Sequence, residues 1–147
     1  MITKVRDMLD SKGYTVYSVT SDTKIIDALA LLVEKNIGAL PIIDNGKLSG
    51  IFSERDYARK VVLQGKSSRD TAVADIMTPK VVLVKPDDTL GKCIKLIDSN
   101  KIRYLPVVSP DDETQVIGIL SVSDIVRTII AEQRDTIEHL QHYIQSW

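Results

Sequence analysis

A single cysteine, Cys93, excludes an internal disulfide and fits a reducing compartment. It lies in an apolar helical stretch, where a small buried side chain is the plainer reading than a nucleophile. Excess charge is also missing. Nineteen basic against 20 acidic residues leave a formal charge of −1, with no basic run, which argues against a nucleic-acid surface and a disordered charged tail. No run approaches the ~20 apolar residues of a membrane span, and Met1 to Gly13 holds no apolar core long enough for a signal peptide. A cytoplasmic protein with no membrane partner is expected. Histidines are scarce: His139 and His142 stand three apart near the C-terminus, where a metal would need a third ligand and a solvated helix face is the simpler account. There is no nucleophile–base pair of recognisable spacing and no Gly-rich phosphate loop of the Walker type. Catalysis, a catalytic cofactor and a metal site are not expected.

What the chain does contain is a phrase used twice. Gly50-Ile51-Phe52-Ser53-Glu54-Arg55-Asp56 and Gly118-Ile119-Leu120-Ser121-Val122-Ser123-Asp124 both read Gly, two apolar residues, Ser, two variable residues, Asp. An amphipathic run follows each. The pattern predicts a short buried strand feeding a helix, with Ser as N-cap and Asp at the third helical position.

The repetition extends outward. Val5-Arg6-Asp7-Met8-Leu9 pairs with Val73-Ala74-Asp75-Ile76-Met77 at an offset of 68, and Leu40-Pro41-Ile42-Ile43 pairs with Leu105-Pro106-Val107-Val108 at 65. The three-residue difference falls at a turn, where Asp44-Asn45-Gly46 becomes the longer Ser109 to Thr114. Two duplicates follow, 1–68 and 69–132, with 133–147 as a helical extension. Each reads as a short helix (Ile2 to Ser11; Ala72 to Met77), a strand (Thr15 to Val19; Val81 to Val84), a helix, a hairpin and a closing helix. The predicted class is α/β (α+β), two pseudo-twofold-related repeats, each a small mixed sheet packed with helices. One unit of about 60 residues has too little core to be secure alone, so the two should bury their sheets together and leave related clefts between them. After Asp124 the apolar residues Ile125, Ile129, Ile130, Ile137, Leu140, Tyr143, Ile144 and Trp147 recur at helical spacing, a face suited to docking on the core or on a second subunit.

The duplicated phrase resembles that of cystathionine-beta-synthase (CBS) domains. Asn36-Ile37-Gly38-Ala39-Leu40-Pro41 and Ile102-Arg103-Tyr104-Leu105-Pro106-Val107 are similar to that family's second-strand segments, and Asp75-Ile76-Met77-Thr78 to the linker that opens a second repeat. The resemblance covers nearly the whole chain and implies a stand-alone tandem pair, or Bateman module. It implies a non-catalytic sensor of adenosine-containing ligands (AMP, ADP, ATP, NAD(H) or S-adenosylmethionine) held between the repeats, a homodimer, and a regulated partner protein that the sequence does not name. The alternative is an interaction module whose clefts stay empty.

The residues supply a physical case. An ionised Asp56 or Asp124 can accept both hydroxyls of a ribose. Ser53 and Ser121 can bond phosphate or ribose, and a helix start offers N–H groups to a phosphate. Ile37, Ala39, Ile51 and Ile119 suit an adenine slot. The same Ser-x-x-Asp is also a capping box, and the two roles can coexist. Arg55 is the phosphate candidate, whereas Arg59 and Lys60 read as a solvated helix face. Arg103 and Tyr104 stand where many family members carry Arg-His near phosphates, so Tyr104 departs from that pattern. Lys12 and Gly13 occupy a position that contacts ligand in related modules, though Gly13 also fits a helix C-cap. Thr78-Pro79 is the second repeat's counterpart, and Tyr17, Gly38, Leu105 and Pro106 complete the candidate set.

Overall fold

The computed structural model describes residues 2–145. Its elements are α1 (Val5–Lys12), α2 (Ile25–Lys35), β1 (Ala39–Asp44), β2 (Lys47–Ser53), α3 (Glu54–Asp56), α4 (Leu90–Asn100), β3 (Tyr104–Ser109), β4 (Asp112–Ser121) and α5 (Val122–Gln145). A 3-10 turn spans Val73–Asp75, and α3 runs on as a π-helix over Tyr57–Val62. The expected mixed α/β class is present. β1 pairs with β2 and β3 with β4, both antiparallel. The first hairpin closes through Asn45 and Gly46, both at positive φ, as the Asn-Gly sequence predicts.

The anticipated strands at 15–19 and 81–84 shrink to single parallel bridges, Val19 to Ile42 and Val84 to Val107. Proline explains the loss. Val19 N–H donates to the Pro41 carbonyl (3.2 Å) and Ile43 N–H to the Val19 carbonyl (2.8 Å). The next rung of that parallel ladder would need an N–H on Pro41, which has none. Pro106 ends the second ladder in the same way, between Val84 and Val108.

The pseudo-twofold is visible in matched contacts. Val5 N–H donates to the Asp88 carbonyl and Val73 N–H to the Thr23 carbonyl, both at 2.8 Å. The antiparallel bridge Lys4–Thr89 has its counterpart in Ala72–Lys24. These contacts cross between repeats, and so do the cores. Val5, Met8 and Leu9 of α1 are buried with Leu105, Val107, Leu120 and Ile125, whereas Val73 and Ile76 are buried with Ile25, Leu40, Phe52 and Val61. The helix expected over Ala72 to Met77 is only the 3-10 turn Val73–Asp75, yet each half's leading segment completes the other half's core. Burying both crossed segments stabilises the pair together, at about 1.5–3 kcal/mol per large side chain removed from water.

That crossing accounts for the glycine of each phrase. A Cβ on Gly118 would stand 2.8 Å from the methyl carbons of Leu9, and one on Gly50 would stand 2.6 Å from Met77 Sδ and 2.9 Å from the Thr78 carbonyl oxygen. Cys93 is fully buried, and burial, followed by the nearby Asp88 carboxylate, pushes its thiol up to about 11. That is a core side chain, not a nucleophile.

The closing helices differ. α5 runs for 24 residues, and 131–145 are exposed throughout. Ile129 packs partly against the second core, but Ile137, Leu140 and Ile144 are 53%, 57% and 69% exposed. Packing of the extension on its own core, one of the two expectations, is thus not what this helix does; Trp147 lies outside the described residues. Among those residues no helix is long and apolar enough to cross a membrane.

Candidate functional site

Both phrases fold into the capping box that their spacing predicts. Ser53 donates from its N–H (3.1 Å) and Oγ (3.0 Å) to Asp56 Oδ2, and Asp56 N–H donates back to Ser53 Oγ (3.2 Å). Ser121 and Asp124 repeat the arrangement at 2.8, 3.0 and 3.3 Å. Glu54 N–H donates to the Gly38 carbonyl and Val122 N–H to that of Arg103. The expectation of free N–H groups at the helix starts is corrected accordingly: the first and third of each are already committed within the chain.

Two clefts open between the repeats, where β2 and β4 approach each other. The first, of about 400 Å³, is lined by Gly38, Ile51, Ser53, Arg55, Asp56, Thr78, Arg103 and Tyr104 from the candidate set. Glu54, Lys80, Val81, Val82, Lys101 and Ile102 join them. Ile51 is held by a two-way backbone pair with Thr78, N–H to carbonyl at 3.0 and 3.1 Å. Arg55 crosses the cleft and donates from Nη1 to the Lys101 carbonyl (2.9 Å).

The second, of about 480 Å³, is lined by Lys12, Gly13, Tyr17, Ile37, Gly38, Ala39, Tyr104, Ile119, Ser121 and Asp124, with Thr15, Asn36, Ser123 and Arg127 added. Gly13 is the C-cap of α1, at φ +110° with its N–H on the Leu9 carbonyl, and it faces this cleft as well. Lys35 Nζ sits 4.8 Å from the centroid of the Tyr17 ring, a cation–π contact that steadies the outer wall.

Tyr104 separates the two clefts. A Cβ on Gly38 would lie 1.8 Å from the Tyr104 hydroxyl, so a side chain at position 38 and the tyrosine cannot share that space. Burial, then the Glu54 carboxylate, pushes the Tyr104 phenol up, against the opposing Arg103. It therefore stays a neutral hydrogen-bonding group at physiological pH.

The two carboxylates differ in their neighbours. Asp56 Oδ1 faces Lys60 Nζ at 3.3 Å, and the same ammonium donates to the Ile76 carbonyl (3.2 Å) and Thr78 Oγ1 (3.3 Å). Lys60 is thus no solvated helix face: it ties the motif carboxylate to the linker between the repeats. Asp124 is buried and doubly engaged. Lys12 Nζ donates to its Oδ2 (2.7 Å) and to the Ile119 carbonyl (2.7 Å), and Arg127 Nη2 holds Oδ1. Burial pushes the Asp124 carboxyl up, but Lys12 and the Ser121 N–H and hydroxyl outweigh it and hold the group below the usual aspartate range.

Three candidates line neither cleft. Leu105 is fully buried in the second core and Pro106 is buried in β3, while Pro79 is exposed just past the Thr78 pair. Strand alternation places Leu105 inward, and Pro106 is the residue that ends the parallel ladder. Of the lining residues that the sequence reading missed, Arg127 had a signal: it stands three residues after Asp124, on the same helix face. Lys80 and Val82 carried none, because only the fold brings the linker across. Among the described residues no cluster of three or more His, Cys, Asp or Glu could hold a metal ion.

The family model of the CBS domain matches residues 5–63 and 73–131. The mitochondrial CBS domain-containing protein CBSX3 of Arabidopsis thaliana is 36% identical over 152 residues, covering 97% of this chain and 72% of that protein. Among solved structures, the CBS domain protein NE2398 is 38% identical with a TM-score of 0.82, covering 88% of this chain and 99% of that one. The CBS domain pair of protein MJ0100, solved in complex with 5′-methylthioadenosine and S-adenosyl-L-methionine, is 32% identical with a TM-score of 0.79, covering 90% and 99%.

Proposed function

The chain belongs to the CBS-domain family, as a tandem pair forming a regulatory module, and on that premise we propose that it is a non-catalytic sensor that binds an adenosine-containing ligand between its repeats. The observation that carries this reading is the first cleft. There the Asp56 carboxylate, Ser53 and the apolar Ile51 and Ile102 converge on a cavity of about 400 Å³, within the range of small-molecule sites. Asp56 keeps one oxygen in its capping box and turns the other toward Lys60, so a ribose can displace a partly exposed ammonium and keep the cap. Ile51 and Ile102 give adenine an apolar surface. The MJ0100 pair, with its two adenosine compounds, lends weight to that ligand class, and AMP, ADP, ATP and NAD(H) extend it.

Ligand binding would act on the partner through the repeats' mutual packing, because the lining of each cleft comes from both halves. The repeat boundaries belong to the proposal at 1–68, 69–132 and 133–147. The cytoplasm is the proposed compartment, chosen for its reducing character and the lone buried thiol of Cys93. The module also acts as a homodimer in this reading. Val126, Ile130, Ile137, Leu140 and Ile144 of α5 are exposed and spaced 4, 7, 3 and 4 apart, the period of a helix-pairing seam. Leu140→Asp with Ile144→Asp should halve the mass seen by light scattering, and a wild type already monomeric removes the dimer from the reading.

The test of ligand binding is a thermal-shift panel of AMP, ADP, ATP, NAD, NADH and S-adenosylmethionine on the wild type, Asp56→Ala and Asp124→Ala. A ligand at about 100 times its Kd adds about 2.7 kcal/mol, or roughly 5–10 °C for a chain of this size. The expected result is such a shift with at least one compound, absent in Asp56→Ala. Loss of the cap will lower that variant's midpoint without ligand, so the difference with and without ligand is the readout. Absence of any shift would favour the interaction module, with α5 as its working surface.

A further inference from the structure

The two clefts carry the same Ser-x-x-Asp geometry but not the same free charge. The first is lined by the cations Arg55, Lys80, Lys101 and Arg103 against the anions Glu54 and Asp56. Among the described residues no carboxylate pairs with Arg55, Lys80 or Arg103; Arg55 donates only to a backbone carbonyl, and Lys101 meets the well-exposed Asp98 at 3.6 Å. The second cleft's cations are Lys12 and Arg127, and both are bound to the buried Asp124 carboxylate. A phosphate entering there would have to take cations from a carboxylate that burial leaves dependent on them. In the first cleft it would meet Lys80 and Arg103, which among the described residues no carboxylate holds, beside Arg55 and Lys101, whose present partners are a backbone carbonyl and an exposed carboxylate.

From this difference we infer that the first cleft selects an adenosine ligand whose 5′ tail carries two or more phosphates, while the second discriminates against such a tail. The inference rests on the adenosine reading above and adds which end of the ligand each cleft recognises. With the ribose on Asp56, the tail extends toward Lys80 from the linker and Arg103 from the head of β3. Arg55 and Lys101 also line this cleft, the Arg55 guanidinium donating to the Lys101 carbonyl. Guanidinium and ammonium groups bind phosphate oxygens by charge-assisted bonds, and exposed ones do so with strong dependence on salt. In the second cleft an uncharged or cationic tail leaves the Lys12–Asp124–Arg127 cluster intact.

Isothermal titration of the full chain with adenosine, AMP, ADP, ATP and inorganic tripolyphosphate decides the matter. ADP and ATP should bind at one site per chain, at least tenfold tighter than adenosine, with the advantage shrinking as salt rises from 50 to 300 mM. Lys80→Ala with Arg103→Ala, both on exposed side chains, should bring ATP down to the affinity of adenosine and leave adenosine unchanged. Arg127→Ala should leave ATP affinity unchanged. Tripolyphosphate should bind at least tenfold more weakly than ATP, since it has no ribose for Asp56. Equal affinity for adenosine and ATP overturns this inference while leaving the adenosine reading standing, and so does an ATP affinity lost in Arg127→Ala but kept in the double variant. Tripolyphosphate binding as tightly as ATP overturns it as well. No binding by any adenosine compound overturns both.

Discussion

The glycines of the two phrases occupy equivalent positions, yet they are closed off by different atoms. Gly118 lies under the branched end of Leu9, a side chain. Gly50 lies under Met77 Sδ and also under the Thr78 carbonyl oxygen, which is backbone fixed by its two-way pairing with Ile51. A side chain can change rotamer to admit a methyl group, whereas a paired backbone must give up its hydrogen bonds. The first repeat is therefore the more tightly stitched at this point, and the stitch runs through the linker that also lines the first cleft.

Alanine substitutions put a magnitude on that difference. Gly50→Ala should cost about 2–3 kcal/mol, at the upper end of what overpacking exacts, and should weaken any ligand bound in the first cleft by displacing Thr78. Gly118→Ala should cost about 1–2 kcal/mol, partly recovered by shortening the opposing side chain with Leu9→Val. Urea unfolding of the four proteins reads these values directly. Equal losses for the two glycines would mean that the Ile51–Thr78 pair yields as readily as a leucine rotamer.

How much of this was open to a reader of the sequence follows from the range of each interaction. The capping boxes were legible because Ser53–Asp56 and Ser121–Asp124 close within four residues, as was the Asn45-Gly46 hairpin, where the turn chemistry is local. The duplication was legible from its two offsets. What stayed hidden is what depends on the other repeat. The pattern marked a short helix over Ile2 to Ser11, but nothing local says that Leu9 fills the space over Gly118. The candidate strands at 15–19 and 81–84 had the right composition, and the prolines that cut them short lie over twenty residues away in the neighbouring strands. Lys60 looked like a solvated face because its carbonyl partner on Ile76 and its Thr78 contact come from the linker. Leu105 and Pro106 entered the candidate site with a motif whose inward-facing members serve the core.

The lysines give a second, smaller test of the same asymmetry. Lys60 reaches Asp56 from its own helix at 3.3 Å, while Lys12 reaches the buried Asp124 from α1 at 2.7 Å and so ties the crossed helix to the second repeat. Lys12→Met should cost about 1–2 kcal/mol at neutral pH, the range for a hydrogen bond to a charged group, reduced because the lysine is a third exposed and Arg127 remains. Lys60→Met should cost less than 1 kcal/mol, since Asp56 is less buried and its cap persists. The pH dependence separates the two further. The Asp124 carboxyl is held below its unfolded value, so its contribution is present in full above about pH 4, the ordinary aspartate value, and is lost as pH falls through the lower folded value. Without Lys12, burial is opposed less and that folded value rises, so the Lys12→Met penalty should shrink as pH falls below about 4, where protonation removes the charge the lysine was there to neutralise. Chemical unfolding of both variants from pH 3 to pH 7 measures this. A Lys12→Met penalty that stays constant across that range would assign the loss to something other than the charge pairing with Asp124, such as the lost bond to the Ile119 carbonyl.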